Sequence, residues 1–231
     1  MNKAVFFWST WALLSVYLVI LAGAVVRMTG SGMGCPDWPK CFGYLIPPTE
    51  RSQLDWQPDK SYKKGNVIIL DNTLQMAIQT FESGDTINLK NWEVYTKHDY
   101  TTFNATHTWV EFINRLLGAI SGLIVLGLFV RSLWWIRKQP LLPIFSFFAV
   151  IGMGVQAWLG KTVVDSNLLP SKISLHMIMA LLIVSVLLFV RAKSHGKQLK
   201  QPSKNLQMLI VGSFVLTLIQ FGLGVDVRQF I

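Results

Sequence analysis

Five apolar runs, each about as long as a membrane is thick, leave this chain few folds to choose from. They cover residues 4–26, 109–136, 141–164, 173–190 and 206–225. A helix rises about 1.5 Å per residue, so roughly 20 residues cross a hydrocarbon core of about 30 Å. Only 14% of the residues are charged, against about a quarter in an ordinary soluble domain. The first run is longer than the apolar core of a signal peptide, and no small-residue cleavage pattern closes it. It reads as a retained helix. Trp8 and Trp11 stand near its start, where interfacial aromatics belong.

The net charge of +9 matters through its placement. Arg131, Arg137 and Lys138 close the second run and lead to the third. Arg191, Lys193, Lys197, Lys200 and Lys204 lie between the fourth and fifth. The end of the third run and the link to the fourth hold only Lys161 and Lys172 as basic residues. This bias puts the N-terminus inside and the long polar stretch 28–106 outside, in a multi-pass membrane protein. The basic residues are not interleaved with aromatics in a polar groove, so a nucleic-acid surface is excluded. Membrane lipid is the expected surrounding.

Stretch 28–106 opens on glycines, prolines and the two cysteines, Cys35 and Cys41. That composition favours turns. Gly30-Ser-Gly-Met-Gly34 follows no strand and opens no helix, so it is not read as a nucleotide loop. A structureless connection of this length is unusual, and a small folded cap is expected, with residues 72–81 as a candidate helical piece.

Chemistry concentrates where the second run begins. His107, Glu111, Asn114 and Gly118 share one stripe at helical spacing, and Arg115 follows Glu111 by one turn. Ionisable groups at a hydrocarbon boundary usually face a bundle interior or a cofactor. The plain alternative is a Glu111–Arg115 pair at the helix mouth. His176 lies about one turn inside the fourth run, at a depth comparable to Glu111. Bundle cores hold cofactors between facing helices, and His commonly ligates haem iron. An internal echo joins Gly23-Ala-Val-Val-Arg27, closing the first run, to Gly224-Val-Asp-Val-Arg228, closing the fifth. It suggests a duplicated design: residues 1–205 as one four-helix unit, and 206–231 as the first helix of a second, truncated repeat.

Three segments resemble the haem A synthase family. They are Gly23-Ala-Val-Val-Arg27 with Thr29-Gly-Ser-Gly-Met-Gly-Cys-Pro-Asp-Trp-Pro-Lys-Cys41; Glu111-Phe-Ile-Asn-Arg115; and Leu168-Leu-Pro-Ser-Lys-Ile-Ser-Leu-His176. The resemblance implies an all-α membrane protein: a four-helix transmembrane half with a large extracytoplasmic loop, plus a fifth helix opening a second half. The implied activity is that of a membrane oxidoreductase. It oxidises the ring D methyl group of haem O to a formyl group, giving haem A for terminal oxidases. Haem O is the substrate, and haem b belongs to the second half. Glu111 matches a required carboxylate and His176 an axial iron ligand. Cys35 and Cys41 match a disulfide near the site, a pairing that an outside location permits. Arg27 and Arg115 are candidates for neutralising haem propionates or anchoring the bundle mouth.

The family pattern Glu-x-x-His-Arg carries Asn114 here in place of its His. His107 is the tentative substitute ligand, with His98 farther into the loop. Expected partners are a haem O synthase delivering the substrate, an electron-transfer protein, and a second copy in a homo-oligomer. Two other readings stay open. One is a non-catalytic or electron-transfer membrane b-type haem protein. The other, disfavoured by the cysteine spacing, is a thiol oxidoreductase.

Overall fold

The computed structural model describes residues 2–96, 102–195 and 203–227. Five long helices form: α1 (Lys3–Met28), α2 (Ala105–Ser132), α3 (Leu141–Asp165), α4 (Pro170–His195) and α5 (Lys204–Val227). The fold is mostly helical. Among the described residues, four helices, α1 to α4, are long and apolar enough to cross a membrane. Between 22% and 28% of each apolar window is buried, so most of the apolar side chains face outward, Leu14, Leu123, Phe148 and Leu182 among them. Water does not tolerate such a surface, and lipid does. His98, Lys197, Lys200 and Arg228 lie outside the described residues.

The chain divides into two compact units. The first comprises Met1–Leu18, Ala119–Val163 and Leu168–Ile231. Its core joins Val5, Ala12 and Val16 of α1 to Val125 and Leu128 of α2, Leu142 and Ala149 of α3, and Ile183, Leu187 and Val190 of α4. Buried serines accompany these aliphatics: Ser9, Ser121 and Ser146 are fully enclosed. Ser15 and Ser121 meet hydroxyl to hydroxyl at 3.0 Å. Small residues of this kind let helices approach where lipid removes any hydrophobic drive between them. At one end Arg191 lies over the Phe6 ring and its Nε donates to Thr10 Oγ1 at 3.2 Å. Helix α5 touches α4.

The second unit comprises Val19–Gly118 and Val164–Asn167. Its cap is a β structure. Strands β2 (Val67–Leu70), β3 (Thr73–Ala77) and β5 (Trp92–Val94) form one antiparallel sheet in the order β2-β3-β5. Strand β1 (Ser61–Tyr62) pairs with β4 (Phe81–Glu82). The helical piece expected at 72–81 is therefore strand β3 and the start of β4. The cause lies just before it. Leu70 pairs with Thr73, leaving a two-residue turn, and Asp71 and Asn72 both take positive φ, 47° and 58°. That is the hairpin turn whose twist suits antiparallel strands, and Asp and Asn accept it readily. The run Val-Ile-Ile-Leu of β2 is buried on both faces. Val67 and Ile69 pack with Cys35, Cys41, Phe42, Leu54 and Leu74, while Ile68 packs with Tyr62, Ala77 and Trp92. A strand sends alternate side chains to opposite sides, so one apolar run serves two small cores.

Candidate functional site: a buried carboxylate under a disulfide loop

The site grows from the first turns of α2. Asn104 caps the helix: its Oδ1 accepts from the His107 N–H at 3.2 Å, and its carbonyl from the Thr108 N–H at 3.0 Å. An Asn side chain in this position satisfies a donor that the helix leaves free. The helix thus begins before Trp109 and carries His107 in its first turn, partly buried.

Residues 34–43 fold over those turns. Gly34 is pressed against the helix backbone: a Cβ there would sit 2.6 Å from the His107 carbonyl group and 2.7 Å from the Thr108 nitrogen. Only glycine allows this approach. Thr108, fully buried, donates its hydroxyl to the Gly34 carbonyl at 2.8 Å. The next amide, Cys35 N–H, donates to Glu111 Oε2 at 2.9 Å. Glu111 is 4% exposed. Its other oxygen pairs with Arg115 one turn along the helix.

Arg115 is the hub. Its Nη1 donates to the carbonyls of Asp37 at 2.7 Å and Lys40 at 3.1 Å, and its Nη2 to the Cys35 carbonyl at 3.4 Å. The planar fork suits several acceptors at once. A disulfide joins Cys35 to Cys41 across the same loop, so the acceptors are fixed by a covalent tie. Asp37 closes the turn by accepting the Gly43 N–H at 2.8 Å on Oδ2, while its Oδ1 is buried without a partner. Burial pushes the Asp37 carboxyl above its ordinary value, opposed by hydrogen bonds from Gly43 and Phe42 and by the Arg115 charge. Tyr95 braces the loop from the cap, donating to the Pro36 carbonyl at 2.9 Å. Burial, and then the negative charges of Asp37 and Asp165, push its phenol up to about 12.

The unit therefore brings together Glu111, Arg115, Cys35 and Cys41. Asn114 stands on the same helix with its amide oxygen buried and unpartnered. A Cβ on Gly23 of α1 would lie 3.9 Å from that oxygen. Arg27 occupies the last turn of α1, partly buried and engaged with its surroundings.

His176 belongs to the other unit, in the second turn of α4. Gln156 of α3 reaches it: Nε2 lies 3.2 Å from His176 Nε2 and donates to the His176 carbonyl at 3.1 Å. Gly160, one turn along α3, leaves the ring room, since a Cβ there would sit 3.4 Å from Cε1. The imidazole Nδ1 is buried with no partner. A buried imidazole with an unsatisfied nitrogen has the donor chemistry of an axial haem ligand, so His176 fits the iron on that ground. Asn114 supplies an amide oxygen instead, a poor ligand for haem iron. Among the described residues no three His, Cys, Asp or Glu side chains gather into a site for a bare metal ion.

Residues 6–230 match the model of the COX15-CtaA family, described as cytochrome oxidase assembly protein. The chain belongs to this family. It is similar to proteins named Heme A synthase from Shewanella oneidensis, 26% identical over 86% of this chain and 49% of that protein; from an Exiguobacterium species, 26% identical over 99% and 59%; and from Rickettsia prowazekii, 26% identical over 92% and 57%. The chain thus spans about half to three-fifths of the length of these relatives. No solved structure matches it. The four apolar helices and the bacterial relatives fit a multi-pass membrane protein of the cytochrome oxidase assembly family.

Proposed function

We propose that this chain is the haem O-handling half of a haem A synthase. The reaction is oxidation of the ring D methyl group of haem O to a formyl group, by successive hydroxylations, yielding haem A for a terminal oxidase. The observation that carries the reading is Glu111: a carboxylate buried in a membrane-length helix, gripped by Arg115 and by the Cys35 amide. A family that assembles cytochrome oxidase and relatives named Heme A synthase supply the context. The haem iron supplies the oxidising chemistry, and the protein supplies position and electrostatics.

His176 is the axial ligand in this proposal, and Glu111 orients the methyl-bearing edge of the substrate or handles a proton there. Arg115 spends its described hydrogen bonds on Glu111 and three main-chain carbonyls, which supports anchoring of the bundle mouth. Propionate neutralisation then falls to Arg27. His107 is the substitute ligand for the family histidine, whose position Asn114 occupies with a weakly coordinating amide oxygen. Haem b, an electron-transfer partner, substrate delivery by a haem O synthase and homo-oligomer formation belong to the same proposal, with the cap on the outer side.

The test is haem extraction from membranes that make haem O and express the gene. Haem A is expected with the wild-type chain. With Glu111→Gln, which keeps shape and removes the ionisable group, haem stays bound and haem A is absent. A Soret band without haem A from the wild-type chain establishes the competing reading, a b-type electron-transfer protein in which Glu111 and Arg115 are a structural pair.

A further inference from the structure

One face of α2 carries a groove. Leu123, Leu126, Gly127, Val130, Arg131 and Trp134 line a groove of about 420 Å³, with Trp8 of α1 as its far wall. Their spacing, at i, i+3, i+4, i+7, i+8 and i+11, makes a single stripe along the helix. Eleven residues of helix cover about 16 Å, close to half of a hydrocarbon core of about 30 Å. The groove is one leaflet deep.

Gly127 lets it form at this place. A Cβ there would sit 2.6 Å from the Trp8 ring, so the indole packs directly on the helix backbone and flanks the channel. The apolar floor ends in a cation. Arg131 stands at the end of the stripe, with its guanidinium 5.3 Å from the Trp134 ring centre. Arg137 and Lys138 follow within two turns, and no Asp or Glu occurs anywhere between Glu111 and Asp165. The basic-residue bias assigns this end to the inner leaflet. An apolar channel about one leaflet deep, ending in Arg131 beside Trp134 with two more basic residues close by in sequence, complements one class of molecule in shape and charge.

We propose that this groove binds an anionic phospholipid of the inner leaflet, its acyl chain along Leu123–Val130 and its phosphate on Arg131. The site lies away from Glu111 in the sequence and does not depend on the reaction assigned above.

The experiment is native mass spectrometry of the full-length protein in a mild detergent, titrated with phosphatidylglycerol or with phosphatidylcholine of the same chains. One phosphatidylglycerol is expected to be retained in preference to phosphatidylcholine. Arg131→Gln should lower its retention about five-fold, the worth of one basic residue near a membrane surface, and Arg131→Lys should recover part of it. Val130→Trp fills the channel and should displace both lipids. Circular dichroism and the intact Cys35–Cys41 disulfide serve as folding controls for each variant. Equal retention of the two lipids, or phosphatidylglycerol retention unchanged in both Arg131→Gln and Val130→Trp, overturns the proposal.

Discussion

The Cys35 amide and the Glu111 carboxylate are joined by a hydrogen bond of 2.9 Å across 76 positions of sequence. One partner is main chain in a disulfide loop, and the other is a side chain in a membrane-length helix. The loop therefore sets the carboxylate's position as directly as the helix does. Cys35→Ser with Cys41→Ser opens a small ring, and a chain-entropy argument for its closure gives about 2 kcal/mol. The expected outcome is a lower melting temperature together with loss of haem A formation. Activity unchanged in the double variant shows that the hydrogen bond holds without the tie.

Gly34→Ala places a methyl carbon against the His107 backbone, where neither side can yield. Overpacking of this kind typically costs about 1–3 kcal/mol. Because the loop must lift, Thr108 and Glu111 lose their partners in the loop together. Thermal unfolding followed by tryptophan fluorescence should show the loss, and Gly30→Ala, at a glycine with open space around its Cβ position, shows the effect of positive φ alone.

Arg115→Lys retains the charge and loses the fork. A lysine reaches one or two of the acceptors, so this substitution should destabilise the loop nearly as much as Arg115→Ala. For a buried pair broken on one side, the loss is about 3–5 kcal/mol. Melting curves of the two variants test it. Full stability in the lysine variant shows that charge, not geometry, holds the loop.

Asp37 gives the loop a pH dependence with a definite sign. Burial raises its pKa above 3.8, so the folded loop holds this proton more tightly than the unfolded chain. Its contribution is favourable at low pH and is lost as pH rises from 3.8 through the raised value. Asp37→Asn keeps an acceptor for Gly43 and removes the charge. The variant should be the more stable form near neutrality, and its advantage should shrink on acidification. Melting temperatures of both proteins measured between about pH 4 and 7 decide it. An advantage that grows on acidification contradicts the sign.

Gln156→Ala removes the amide that faces His176 Nε2. If His176 holds haem iron, the variant should keep its Soret band with a shifted maximum, while His176→Ala loses the band from this half. Identical spectra in wild type and both variants remove His176 from the ligand set.

The helices were legible because apolar runs of membrane length have hardly any alternative to a helix. Glu111 and Arg115 were legible through their spacing and their cost in hydrocarbon. The cap was harder. The stretch from Gln75 to Ile78 contains good helix formers, and the decisive signal was the Asp71–Asn72 turn just upstream. Gln156 was not legible, since an amide facing a histidine on another helix leaves no trace in local spacing. The grip on Arg115 was invisible for a different reason: carbonyl acceptors belong to every residue type.

That last point bears on how such a site varies. The oxygens that hold Arg115 come from Cys35, Asp37 and Lys40, and all three are main chain. Exchanging the Lys40 side chain leaves its oxygen where it was. What the site demands of this loop is a route: prolines that stiffen it, a glycine that lets it touch the helix, two cysteines that close it. Selection on the grip therefore falls on the residues that steer the chain, and Lys40, which gives the grip only a carbonyl, is left free to drift.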